Sequence, residues 1–171
     1  MRQLLRASLI SAEATRQTDM NLTEILSVDQ IVPRLAATDR WAVIDQLIDV
    51  LVHTHKIRAE DRDAVRKAVK DRETSKSTGI GYGIAMPHAS VACIQDVVAA
   101  FGRPAQGVDF QALDNQPVTM GLLFLTPHGQ FQKHLLLLST VARFLSNKDN
   151  RQKLEAAQTA EEILAIFRSA S

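Results

Sequence analysis

The chain is short of cysteine, of long apolar runs and of charge of one sign. Cys93 is the only cysteine in 171 residues. An internal disulfide is therefore excluded, and a reducing, cytoplasmic compartment fits. Cys93 stands in an apolar patch, "SVACI", which suits a small buried hydrophobe better than a nucleophile. No apolar run approaches the roughly 20 residues of a membrane helix. "MGLLFL" and "HLLLLSTVARFL" are short and broken by polar residues. Membrane insertion is excluded on that ground, and with it a potassium-channel reading of Ile80-Gly81-Tyr82-Gly83. The 20 Lys and Arg are dispersed among 19 Asp and Glu, for a net charge of +1. A nucleic-acid partner would want a clustered basic face, so none is expected. The five histidines have no metal-ligand spacing. His53 and His55 read as solvated residues near a helix C-terminus, and neither a metal nor a cofactor is predicted.

What is present is an ordinary globular composition, 46% apolar and 23% charged, in a length that suits one core. Residues 1–19 contain a short apolar run cut by Arg6, which reads less well as a signal peptide than as an extension. They are expected to be a poorly ordered extension, or to precede the natural start at Met20, with residues 20–171 forming the domain.

Apolar spacing predicts a helix over 39–52, capped by Asp39, with Val43, Ile44, Leu47, Ile48, Leu51 and Val52 on one stripe. A second helix spans 58–73, with Ala64, Val65, Ala68 and Val69 as its thin apolar side. Residues 74–83 read as a loop, and 84–86 as a short strand stopped by Pro87. Residues 96–102 and 118–126 read as strands; the second is apolar on both faces and so central. "LDNQP" between them is a turn. Residues 130–147 form the longest helix, with Phe131, Leu135, Leu138, Ala142 and Leu145 as its packing ridge. Two short helices close the chain, the last opened by Thr159 and Glu162 as a capping box. Helices before, between and after covered strands predict an α/β sandwich.

The most informative stretch is "TGIGYGIAMPHAS", 78–90. Phosphate-loop and dinucleotide fingerprints both fail on it. No Lys follows the glycines in the required place, Met86 stands where a glycine is needed, and Pro87 blocks a following helix. Glycines still permit positive φ and exposed N–H groups, which can cradle an anion. Histidine is the natural phosphoryl acceptor near neutral pH, since its ordinary pKa of about 6.5 leaves much of it nucleophilic. Composition alone slightly favours the plainer alternative, a structural histidine closing a tight loop.

"RETSKSTGIGYGIAMPHA", 72–89, resembles the active-site signature of the fructose/mannitol-type enzyme IIA of the bacterial phosphoenolpyruvate-dependent phosphotransferase system. "FQALDNQPV" and "FLTPHGQFQKHLLLLSTVARFLSN" resemble later segments of the same family, and "MNLTEIL" resembles its usual start, especially in the nitrogen-regulatory branch. The resemblance covers about residues 20–168. It implies a three-layer sandwich with a mixed central sheet and helices on both faces. It implies that His88 is phosphorylated, as tele-phosphohistidine, that His134 is a second active-site histidine, and that Arg72 lies near the phosphate. Ser77, Thr78, Gly79, Gly81 and Gly83 are expected to form the phosphate-binding loop. A histidine phosphocarrier protein would be the donor. The acceptor would be a regulated target protein, or a IIB domain in a transport branch for fructose- or mannitol-type sugars; a pure binding module is the alternative of another class. Tyr82, Met86 and "SVACI" depart from the family pattern without removing a group that the chemistry needs.

Overall fold

The computed structural model describes residues 21–169, so the expectation for residues 1–19 lies outside the described residues. Six strands form one sheet: β1 (Ile31–Leu35), β2 (Gly79–Gly81), β3 (Ile84–Ala85), β4 (His88–Val91), β5 (Val98–Pro104) and β6 (Met120–Pro127). Five α-helices cover it: α1 (Arg40–His53), α2 (Arg62–Ser75), α3 (Phe131–Ser146), α4 (Lys148–Ala156) and α5 (Ala160–Arg168). The sheet order is β1-β5-β6-β3-β2, and β4 also pairs with β6.

β6 is the spine. It runs antiparallel to β5 and parallel to both β3 and β4, which follow one another along the same side of it. All eight of its residues are buried, as a run apolar everywhere but Thr126 requires. Alternation divides its side chains between two cores. Leu123 and Leu125 join the cluster under α1 and α2, while Met120, Leu122 and Phe124 join the cluster under α3, α4 and α5. The expected three-layer α/β sandwich with a mixed sheet is thus the observed architecture.

Local chemistry sets the element ends. Asp39 caps α1 by accepting from the backbone N–H of Trp41 and Ala42, at 2.8 and 2.9 Å. Thr159 caps α5 through the N–H of Glu162, whose own carboxylate accepts from Gln158 rather than closing the box on Thr159. The two charged helices are tied together by Asp45 of α1, which accepts from Arg66 and Lys70 of α2. Burial pushes the Asp45 carboxyl up, but the hydrogen bonds and charges of Lys70 and Arg66 outweigh it and hold it below its ordinary value.

Three expectations are corrected. The second helix starts at Arg62, after a 3-10 turn over Ala59–Asp61, and Ala64 on it is exposed, so Val65 and Val69 carry its packing. Residues 74–83 are not one loop: Thr74 and Ser75 finish α2, and β2 pairs with β3 as a hairpin. Its turn is Tyr82-Gly83, both at positive φ (58° and 76°), the geometry that matches strand twist in a two-residue connection. Finally, α3 packs through Leu137, Val141, Phe144 and Leu145, while Phe131 and Leu135 of the expected ridge are 68% and 50% exposed. Four consecutive leucines, 135–138, cover every side of the helix, so the sequence period there does not single out one face.

Candidate functional site

His88 opens β4 directly after Pro87. Pro87 has no N–H to give, but its carbonyl accepts from Phe124 N at 3.0 Å and so fixes the strand's entry against β6. His88 then pairs in register with Phe124. Its Nδ1 lies 2.8 Å from the carbonyl oxygen of Met86. A carbonyl only accepts, so Nδ1 carries the hydrogen. Burial lowers the His88 pKa, and the charge of Arg72 and the neighbouring His134 lower it further against the opposing pull of the Met86 bond. The ring is therefore neutral near pH 7, with its lone pair on Nε2. Among the described residues that nitrogen has no hydrogen-bond partner.

His134 comes from the first turn of α3. Its ring centroid lies 5.1 Å from that of His88, with the planes inclined at 58°. Its Nδ1 is 3.1 Å from Thr126 Oγ1 at the end of β6. Burial first, and Arg72 second, lower its pKa as well. Arg72 arrives from the last turn of α2, where Nη1 donates to the Lys76 carbonyl at 2.8 Å. That bond anchors one edge of the guanidinium and leaves other N–H groups free to meet an anion.

These side chains line one open cavity of about 420 Å³, together with Ala68, Ala89, Ser90, Thr126, Gly129, Gln130 and Phe131. The N-terminus of α3 borders the cavity through Gln130 and Phe131. α1, α4 and α5 each have a side-chain cap, whereas α2 and α3 have none. Uncapped N–H groups at a helix start favour an anion. Gln130 also holds a buried Oε1 with no hydrogen-bond partner. A cation, two neutral imidazoles and free helix amides around a solvent-open space make a site for a small anion beside a nitrogen nucleophile.

The structure thus gathers His88, His134 and Arg72 in one place. It does not bring Ser77, Thr78, Gly79, Gly81 or Gly83 to the cavity lining. Their tasks are structural. Ser77 donates to the Phe110 carbonyl, and Thr78 is buried against the carboxylate of Glu73, which accepts from its N–H and hydroxyl. A Cβ on Gly79 would come within 2.7 Å of the Ala112 side chain and 2.9 Å of its backbone, so glycine there permits a close approach of two segments. Gly81 and Gly83 serve the hairpin at positive φ. His128 bonds the Ser90 carbonyl through Nε2 at 3.1 Å. Sequence reasoning missed Thr126 and the start of α3. "PHGQF", with no Ser, Thr, Asp or Asn before the helix, was the available signal for an uncapped N-terminus.

Among the described residues, no helix is long and apolar enough to cross a membrane. Residues 24–170 match the family described as phosphoenolpyruvate-dependent sugar phosphotransferase system, EIIA 2. The chain is 35% identical over 148 residues to the PTS system fructose-specific EIIABC component of Bacillus subtilis, across 86% of this chain but only 23% of that protein's length. It is 37% identical over 125 residues to the fructose-specific EIIA component of Haloferax volcanii, across 71% of this chain and 80% of the relative. The crystal structure of nitrogen regulatory protein IIA-Ntr from Neisseria meningitidis superposes with a TM-score of 0.79 at 29% identity, across 85% of this chain and 98% of that one.

Proposed function

The chain belongs to the EIIA 2 family of the phosphoenolpyruvate-dependent sugar phosphotransferase system, and from that premise we propose that it is a phosphoryl carrier in which His88 is the acceptor, through Nε2. The observation that carries this reading is the 2.8 Å bond from His88 Nδ1 to the Met86 carbonyl. It pins the hydrogen on Nδ1 and leaves Nε2 as the one nucleophilic ring nitrogen. The donor is a phosphohistidine of a phosphocarrier protein. Its N–P bond breaks and the electron pair returns to the donor imidazole. The Nε2 lone pair of His88 forms the new N–P bond. The positive charge this places on the His88 ring is held by the Nδ1–H bond to Met86. Arg72, His134 and the amides at the start of α3 bind the phosphoryl oxygens.

The regulatory branch is favoured by the closer superposition on the nitrogen regulatory protein, with a TM-score of 0.79, than on the mannitol IIA of Escherichia coli, with 0.70. In that reading the phosphorylation state is signalled, in the cytoplasm, by binding a target protein. The identity to fructose-specific relatives supports a second reading, in which the phosphoryl group passes to a IIB domain.

The test is incubation with phosphoenolpyruvate, enzyme I and the phosphocarrier, followed by intact mass and ³¹P–¹⁵N coupling on histidine-labelled protein. One acid-labile phosphoryl group on Nε2 of His88, absent from His88→Ala, is the expected result. A phosphoryl group on Nδ1, or one that persists in His88→Ala, overturns the reading. Transfer onward to an added fructose-type IIB domain would select the transport branch.

A further inference from the structure

Thr126 stands out on β6. Every other side chain in "MGLLFLTP" is apolar, and at 1% exposure Thr126 is as buried as they are. Its hydroxyl lies 3.1 Å from His134 Nδ1 and, among the described residues, has no other hydrogen-bond partner. The bond has two possible directions. If Nδ1 donated, the hydroxyl hydrogen would be buried with no acceptor, and an unsatisfied buried donor is costly. If the hydroxyl donates, both groups are satisfied. Nδ1 is then the acceptor, and the neutral His134 ring carries its hydrogen on Nε2.

We propose that Thr126 is a positioning residue for phosphoryl transfer: its hydroxyl locks His134 in the Nε2–H tautomer, so that a hydrogen-bond donor faces the phosphoryl group. The inference rests on the reading of His88 as the acceptor. The two imidazoles would then be held in opposite tautomers by two different partners. A carbonyl, which only accepts, holds the hydrogen on Nδ1 of His88 and leaves a lone pair on Nε2. A hydroxyl donates to Nδ1 of His134 and leaves a hydrogen on its Nε2. With the ring centroids 5.1 Å apart, one ring attacks and the other stabilises the negative oxygens. The other His134 tautomer would turn a lone pair towards those oxygens and repel them. Valine would fill the same strand position without the hydroxyl, so packing alone gives no reason for threonine.

The test uses the full chain, ¹⁵N-labelled at histidine, as wild type, Thr126→Val and Thr126→Ser at pH 7.5. In the wild type and in Thr126→Ser, His134 should show a protonated Nε2 and an unprotonated Nδ1; in Thr126→Val it should show a mixture. Initial phosphorylation of His88 should slow about three- to tenfold in Thr126→Val, the scale of one neutral hydrogen bond, and recover in Thr126→Ser. A wild-type His134 protonated on Nδ1 overturns the proposal, whether or not any variant folds. So does a Thr126→Val protein that keeps both the wild-type tautomer and the wild-type rate. If wild-type His88 takes no phosphate, the carrier reading fails, and the tautomer measurement still decides what Thr126 does.

Discussion

Arg72 acts on the two imidazoles without touching either through a hydrogen bond. Its charge lowers the pKa of both His88 and His134, in each case behind the larger effect of burial. It thereby favours the neutral form of the His88 ring, and in the proposed carrier it would then face a phosphoryl group carrying nearly two negative charges. Removing it should have two separable consequences. In Arg72→Ala, proton NMR titration should move the pKa of both histidines upward, because a nearby positive charge is gone. Phosphorylation of His88 should slow roughly ten- to a hundredfold, the equivalent of a charge-assisted contact worth about 1.5–3 kcal/mol. His134→Ala should fall in the same range, and His88→Ala should carry no phosphate. Unchanged titration together with an unchanged rate would remove Arg72 from the site.

α3 shows how one helix serves two purposes. Leu137, Val141 and Leu145 are fully or almost fully buried, in the cluster that also holds Phe101 and Phe167. Phe131 and Leu135 project outward at the end of the same helix that borders the cavity. Leu137→Ala should therefore cost about 2–5 kcal/mol by leaving a hole in a close-packed layer. Leu135→Ala should cost under about 1 kcal/mol, since half of that side chain is already in water. Urea unfolding of the two variants compares them directly, and equal losses would contradict the packing described. The sequence could not separate these faces, because apolar residues at 135–138 satisfy any helical phase. The place of the hairpin glycines outside the cavity lining was illegible for a related reason. Three glycines near a histidine fit an anion cradle and a tight turn alike. What separates the two is the positive φ at Tyr82 and the close approach of Ala112 to Gly79, and neither is visible in local composition.

At the scale of the whole molecule, the layers were legible because β6 is apolar on both faces and must be covered on both. In the cavity, Arg72, His88 and His134 were legible only through the family resemblance and Thr126 not at all, because the four lie on four elements, and only tertiary packing brings α2, β4, β6 and α3 together. That convergence ties global stability to pH. Both cavity histidines have pKa values below the ordinary value of about 6.5, chiefly because folding buries them. Between their folded values and about 6.5, the unfolded chain binds more protons than the folded one. Stability should thus be complete above about pH 6.5 and decline as pH falls through and below that value. Asp45 works in a lower window: its pKa is held below 3.8, so its contribution is present above that value and lost on further acidification. Two acid phases are therefore expected in the melting temperature measured from pH 8 to pH 3. The upper phase belongs to the cavity, so a His88→Asn/His134→Asn protein should lose it while keeping the lower one. An Asp45→Asn protein should keep the upper phase and lose part of the lower. If the His88→Asn/His134→Asn protein shows the same decline between pH 6.5 and pH 5 as the wild type, burial of these rings is not what makes the fold sensitive to mild acid.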